Sequence, residues 1–143
     1  MNTTENIRLW FLTCPTVSDV LKFGADYIGD DSTQCSIYSM PTTLTYTTDI
    51  IGNIKYNAKQ KLNFMFVLQA PYGDDVEQNL DNLDFFSKVS EWMYTQNSNH
   101  SFPTIAEGDV ISLMPVKTSF VATAKANYAM YQMQCTLEYW RTT

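Results

Sequence analysis

The chain has 143 residues and a mass of 16.4 kDa, the size of one ordinary domain, and can bury about two-thirds of the surface its unfolded form exposes. A hydrophobic share of 45%, 14% aromatics and only five Gly and five Pro exclude a disordered, collagenous or low-complexity chain. Nine Lys plus Arg against fifteen Asp plus Glu give a net charge of −6 and a pI near 4.5, which speaks against a grip on nucleic-acid phosphates, because such grips need clustered positive charge.

In chain order, residues 4–13 read as a short helix with Ile7, Leu9, Trp10 and Phe11 as its apolar surface; Pro15 stops it by pushing the preceding residue out of the α region. A second short helical turn over residues 17–23 ends at Gly24, and residues 26–31 form a polar turn holding one apolar pair, Tyr27 and Ile28. From residue 34 to 70 the period drops to two, the side-chain repeat of a strand. Cys35, Ile37 and Ser39 alternate with Ser36 and Tyr38. Leu44, Tyr46, Thr48 and Ile50 alternate with Thr43, Thr45 and Thr47, and Leu62, Phe64, Phe66 and Leu68 alternate with Asn63, Met65 and Val67. Gly52-Asn53 is placed to be a two-residue hairpin turn. The strand over residues 62–68 is apolar on both faces, so it is expected at the centre of the sheet with a helix over at least one face.

That helix is expected over residues 74–96. Val76, Leu80, Leu83, Phe86, Val89 and Met93 recur at spacings of three and four, with Phe85 and Trp92 widening the stripe. The opposite face carries Glu77, Asp81, Asp84, Lys88 and Glu91, and Asp74 with Glu77 resembles a capping box. The expected core joins Leu62, Phe64, Phe66 and Leu68 to Val76, Leu80, Leu83, Phe86 and Val89, so that Leu83→Ala would cost about 2 to 5 kcal/mol. Residues 96–101 form a polar loop, Pro103 stiffens its exit, and two strands follow, residues 110–121 interrupted by Pro115 and residues 127–141. In the last, Ala129, Tyr131, Met133, Cys135, Leu137 and Tyr139 share one face. At about 50 Å it is longer than the domain needs, and part of it is expected to reach a partner subunit. The expected fold is therefore a single α+β domain over residues 1–143: a mostly antiparallel sheet of four to five strands, one long amphipathic helix on one face and a short N-terminal helix.

Few residues offer chemistry. His100, the one histidine, lies in the polar stretch QNSNHSF with no local carboxylate or nucleophile to work with, and reads as a solvated loop residue. Cys14, Cys35 and Cys135 form no CxxC, cannot all pair within the chain, and sit among apolar residues as small hydrophobes, which fits a reducing compartment. Asp30-Asp31-Ser32 and Gly73-Asp74-Asp75 lack the spaced ligands of a calcium loop; turn formation explains the first and helix capping the second. No metal, cofactor or catalytic residue is assigned, because none of GxxxxGK[ST], GxGxxG, GxSxG or HExxH occurs. The opening MNTTENIRLWFLTCP is too short in apolar run for an export signal or a membrane span, so a soluble, unexported protein is expected, and the N-x-[ST] matches at Asn2 and Asn99 carry little weight.

The order helix, three strands, long helix, two strands accompanies a set of spaced motifs: Phe23-Gly24-Ala25-Asp26-Tyr27-Ile28-Gly29, Tyr38-Ser39-Met40-Pro41, Asp81-Asn82-Leu83 through Phe86 with Glu91-Trp92, Phe102-Pro103, and Tyr131-Gln132-Met133-Gln134 with Leu137-Glu138-Tyr139. Together they resemble the minor capsid proteins of bacteriophages infecting Gram-positive bacteria, which in turn resemble the tail terminators of long-tailed phages. The resemblance implies a tail-terminator-like fold and a structural virion protein, of phage or prophage, assembled in the host cytoplasm. It implies a ring, usually of six copies, at the head-proximal end of the tail tube, with self, tail-tube and head completion proteins as partners. It brings no catalytic residue, no specific nucleic-acid binding and no membrane. The alternative is a non-catalytic α+β binding module for a small molecule or a protein.

The residues themselves point to one candidate interface. The hairpin over residues 44–56 holds Tyr46, Ile50, Ile51, Ile54 and Tyr56 with Asp49 as its only acid, and a lone apolar ribbon in water is both marginal and sticky. A neighbouring subunit is expected to cover it.

Overall fold

In the computed structural model, which describes residues 2–18, 23–25, 34–71, 76–116, 120–124 and 128–141, two long strands form the middle of the molecule. They are β5 (Lys59–Pro71) and β8 (Tyr128–Arg141), paired antiparallel in unbroken register from Lys59 opposite Trp140 to Pro71 opposite Tyr128. The N-terminal side of the sheet adds β2 (Gln34–Ser39), antiparallel to β5, and β1 (Phe23–Ala25), parallel to β2. On the other side β8 is shared. β6 (Gly108–Pro115) pairs with its C-terminal half and β7 (Phe120–Ala124) with its N-terminal half, each with one register shift. The result is a mixed six-stranded sheet in the order β1-β2-β5-β8-β6, with β7 also on β8. A separate two-stranded ribbon is made by β3 (Tyr46–Thr48) and β4 (Ile54–Tyr56).

Three helices complete the described chain: α1 (Thr3–Leu12), α2 (Pro15–Ser18) and α3 (Val76–Ser98). The Asn2 side chain caps α1 by accepting from the Glu5 N–H at 3.3 Å. α1 and α3 lie over the same sheet face. Phe11 of α1 sits 4.9 Å from the Phe66 ring and 6.0 Å from that of Phe64, Trp10 meets Trp92 of α3 at 4.5 Å, and Phe86 approaches both Phe66 and Tyr131. The strand positions that face these rings alternate as the period-two pattern demands: Phe64, Phe66, Leu68 and Ala70 on β5 and Ala129, Tyr131, Met133, Cys135, Leu137 and Tyr139 on β8 are all buried in one cluster. Burial of this apolar surface, at about 25 cal/mol per Å², drives the packing.

The fold class, the long helix and the short N-terminal helix are as the sequence predicts. Several details differ. Phe86 and Val89 are in the core as expected, with Asn82 and Met93 beside them on the inward face of α3, whereas Leu80 and Leu83, also expected there, are 60% and 43% exposed, and the side chain of Val76 lies outside the described residues. Buried Asn82 donates from Nδ2 to the Pro71 carbonyl at 2.8 Å and to the Tyr131 hydroxyl at 3.3 Å, so it takes a place on the face that Phe86, Val89 and Met93 bury, and Leu80 and Leu83 fall outside that face. The large cost expected of Leu83→Ala accordingly does not apply. Phe23 and Gly24 belong to a strand and not to a helical turn. β8 does not run beyond the domain, because β5 matches it for its whole length and β6 and β7 divide its other edge. Pro15 begins α2 right after α1 has closed at Thr13, whose N–H bonds back to the Trp10 carbonyl. The motifs at residues 26–31 and 72–75 lie outside the described residues, as does the side chain of Glu77.

Candidate interaction surface

The candidate site is the β3–β4 hairpin, and its geometry starts at the tip. The Asp49 N–H donates to the Asn53 carbonyl at 3.0 Å and the Gly52 N–H to the Asp49 carbonyl at 3.1 Å. The Asp49 carboxylate oxygen Oδ1 also accepts from the N–H of Ile51 at 3.1 Å and of Asn53 at 2.8 Å. The loop is thus three residues, Ile50, Ile51 and Gly52, closed between Asp49 and Asn53, in place of the two-residue turn expected at Gly52-Asn53. Gly52 takes a φ of 91°, open to glycine at little cost, and an aspartate folding back on its own turn amides is a usual device of such loops. With every tip amide named here bonded locally, the Ile50 and Ile51 side chains are left to point away, at 103% and 79% exposure.

Behind the tip the ribbon alternates. Tyr46 is opposite Tyr56 and Thr48 opposite Ile54, while Thr47 and Lys55 pair on the reverse side. The two tyrosine rings meet edge to face at 6.2 Å, and the Arg141 guanidinium stacks 4.1 Å over the Tyr56 ring from the end of β8. Tyr46, Ile54 and Tyr56 all remain exposed. The structure therefore brings the five predicted interface residues, Tyr46, Ile50, Ile51, Ile54 and Tyr56, onto one projecting element.

The element is not loosely hung. Gln60, 1% exposed, occupies a core-facing position at the end of β5 opposite Tyr139. Its Oε1 accepts from the Thr45 N–H (2.9 Å) and hydroxyl (3.2 Å), and its Nε2 donates to the carbonyls of Thr45 (2.8 Å) and Asn57 (2.9 Å). The Asn57 N–H returns to the Thr45 carbonyl at 3.0 Å, and the Arg141 N–H reaches the Ala58 carbonyl at 2.7 Å. One buried amide thus clamps both legs of the hairpin to the sheet, with each of its polar atoms satisfied. Sequence reasoning missed Gln60. The available signal is its place in the alternation Gln60, Leu62, Phe64, Phe66, Leu68, where a polar residue sits in an apolar register.

Other predicted positions stay apart from this surface. His100 is exposed with a φ of 53°, just beyond α3, where its N–H bonds to the Asn97 carbonyl and the Ser101 N–H to that of Gln96. This 5→2 and 6→1 pair is a Schellman helix end, so His100 is a terminator of α3. Asn97, within the same polar stretch, is a strut: its Nδ2 donates to the carbonyls of Met93 (2.7 Å) and Leu113 (2.8 Å) and its Oδ1 accepts from the Leu113 N–H (3.0 Å). The three cysteines are free and buried, and burial pushes the Cys35 and Cys135 thiols far above their ordinary range. Asp81, Asp84 and Glu91 line the wet side of α3, where Asp84 meets Lys88 at 3.3 Å. Among the described residues no group of three or more His, Cys, Asp or Glu is gathered as a metal site would require, and no helix is long and apolar enough to cross a membrane.

A cleft of about 580 Å³ opens beside the hairpin base, lined by residues that include Thr42, Thr43, Lys59, Lys61, Asn63 and Glu138. Its two lysines are held by Glu138 at 3.2 and 3.8 Å. Most of the lining side chains are themselves exposed, so the cleft leaves a ligand largely in water, unlike the enclosed sites that bury a small molecule.

No protein-family model matches the chain, and no curated protein is significantly similar to it. One solved protein structure superimposes over 97% of this chain and 91% of its own with a TM-score of 0.45 and 10% identity, a likeness from which nothing about activity or ligand follows.

Proposed function

We propose that this chain is a structural virion protein of a bacteriophage or prophage, a tail-terminator or head–tail joining minor capsid component whose copies form a ring. The observation that carries the reading is the hairpin tip: Ile50 and Ile51, on a locally bonded loop clamped to the sheet by Gln60, stand almost wholly in water. A pre-ordered apolar projection of this kind loses little conformational freedom on docking, which is what a surface that must mate with another subunit needs. Two further features support it. The motifs resembling phage minor capsid proteins extend across most of the chain, and the net charge of −6 suits a protein past which DNA slides without adhering. The chemistry the chain supplies is then cohesion and not catalysis. The open cleft beside the hairpin, lined mostly by exposed side chains, gives a small-molecule binding module no comparable support.

The test is made in a phage carrying this gene. The protein is expected in purified virions by mass spectrometry, and virions assembled without it are expected to show tails of irregular length left unjoined to heads. Normal-length tails on heads at wild-type yield in its absence would overturn the reading.

A further inference from the structure

β6 is the last strand of the main sheet: β8 covers one of its edges, and no described strand lies along the other. Its centre, Val110-Ile111-Ser112-Leu113-Met114, is uncharged, rich in β-favouring side chains and free of proline and glycine. That is the composition of a segment that recruits further strands when its edge stands open. An edge of this kind needs cover.

The register settles which main-chain groups of β6 face outward. The Val116 N–H bonds inward to the Gln134 carbonyl at 2.7 Å, so in this half of the strand the outward positions are Leu113 and Pro115. Proline has no N–H. The Leu113 N–H is thus the one outward donor of the half, and Asn97, the penultimate residue of α3, takes it. Its Oδ1 accepts from the Leu113 N–H at 3.0 Å and its Nδ2 donates to the Leu113 carbonyl at 2.8 Å. One amide side chain therefore makes with Leu113 the reciprocal pair of bonds that a neighbouring strand residue makes in an antiparallel ladder. In the other half, the register shift between Val110 and Ser112 and exposed Asp109 interrupt the line that a guest strand needs.

We infer that Asn97 is an edge guard: its amide fills the pairing place on β6 that another chain would take, and its loss turns β6 into a strand-addition surface for a second copy of this protein. Both of its bonds to β6 go to the main chain of one residue and satisfy both polar groups there, whereas a tether for the helix alone needs no such match to the ladder. A second edge of the sheet is treated in the same manner. Beyond the end of β2 at Ser39, where the chain leaves β5, the Thr42 hydroxyl oxygen accepts from the Asn63 N–H at 3.1 Å. The inference stands apart from the virion reading and from the hairpin, and no part of it depends on either.

The experiment compares purified full-length variants with the wild type by sedimentation velocity, with unfolding in urea measured alongside. Asn97→Ala frees the Leu113 main chain and is expected to add a species of roughly twice the wild-type mass under the same conditions, growing with concentration. Asn97→Leu keeps the side-chain volume and suits the helix, so it is expected to show the same species even where the alanine variant is too unstable to purify. Asn97→Asp still caps the Leu113 N–H and sets a charge on the edge but loses the donations to Leu113 and Met93; it is expected to lose stability and keep the wild-type size. Val89→Ala, a truncation of a buried side chain on the same helix, is expected to behave like the aspartate variant. Wild-type size for both Asn97→Ala and Asn97→Leu overturns the guard. Equal association in Asn97→Asp or Val89→Ala overturns it too, because association would then follow from instability alone.

Discussion

His100 holds a left-handed backbone, φ 53°, at the place where α3 must stop and turn toward β6. An L residue with a β-carbon in that region costs about 1 kcal/mol relative to glycine, which adopts it freely. The imidazole is exposed, and its aromatic neighbour among the described residues is Phe102 at 6.5 Å between rings. His100→Gly is therefore expected to raise the unfolding free energy by about 0.5 to 1 kcal/mol, read as a higher midpoint in urea at unchanged slope. A loss of stability would show that the ring contributes packing that the helix end does not account for. At the same scale Asn82, Gln60 and Asn97 are amides that reach partners on distant strands or loops, and only Gln60 leaves a mark in the sequence, as the polar member of an apolar register. Asparagine and glutamine in a periodic pattern read as surface until the chain brings a carbonyl to them, and Asn82, bonded to Pro71 and Tyr131, shares the inward face of α3 with Phe86, Val89 and Met93 while Leu80 and Leu83 lie off it.

Among elements, the β3–β4 hairpin was legible because two threonine- and tyrosine-rich runs flank a glycine, and the long strands because alternation is a direct print of one buried face. Its tip was misread by one residue, since the Asp49 carboxylate bonds that lengthen the loop depend on side-chain geometry and not on the Gly-Asn pair. The ribbon is its own small sheet, so its orientation depends on its anchors. Gln60→Leu removes four hydrogen bonds that hold Thr45 and Asn57 to the sheet, each worth about 0.5 to 1.5 kcal/mol net where water can replace the partner. The expected result is a loss of about 1 to 3 kcal/mol together with faster amide exchange and proteolytic nicking confined to residues 44–58. Equal protection across that segment in the wild type and the variant would show that the clamp does not position the hairpin.

At the scale of the whole molecule, most cations among the described residues lie beside a carboxylate. Lys59 and Lys61 share Glu138, Arg8 pairs with Glu5 at 2.6 Å, and Lys88 pairs with Asp84. Of the cluster Lys55, Lys59 and Lys61 that the sequence offers, two share the single carboxylate of Glu138, which offsets one of their charges. Duplex DNA near physiological ionic strength is accordingly expected to show no salt-sensitive micromolar binding in a titration across salt concentrations; an affinity falling steeply with salt would report several phosphate contacts and contradict this.

The unbroken register of β5 against β8 also sets a timetable. Every partner of β5 on that side, from Trp140 to Tyr128, lies beyond α3, β6 and β7 in the chain. During synthesis β5 can zip to β2 early, but its second edge has nothing to join until nearly all the remaining elements have emerged. Pairings of such long sequence separation are slow to nucleate, and an open central strand as apolar as Phe64 to Leu68 is a template for pairing with other chains while it waits. A nascent chain that stalls before β8 thus carries its most aggregation-prone strand exposed, so this fold is made to be completed in one uninterrupted passage through the ribosome.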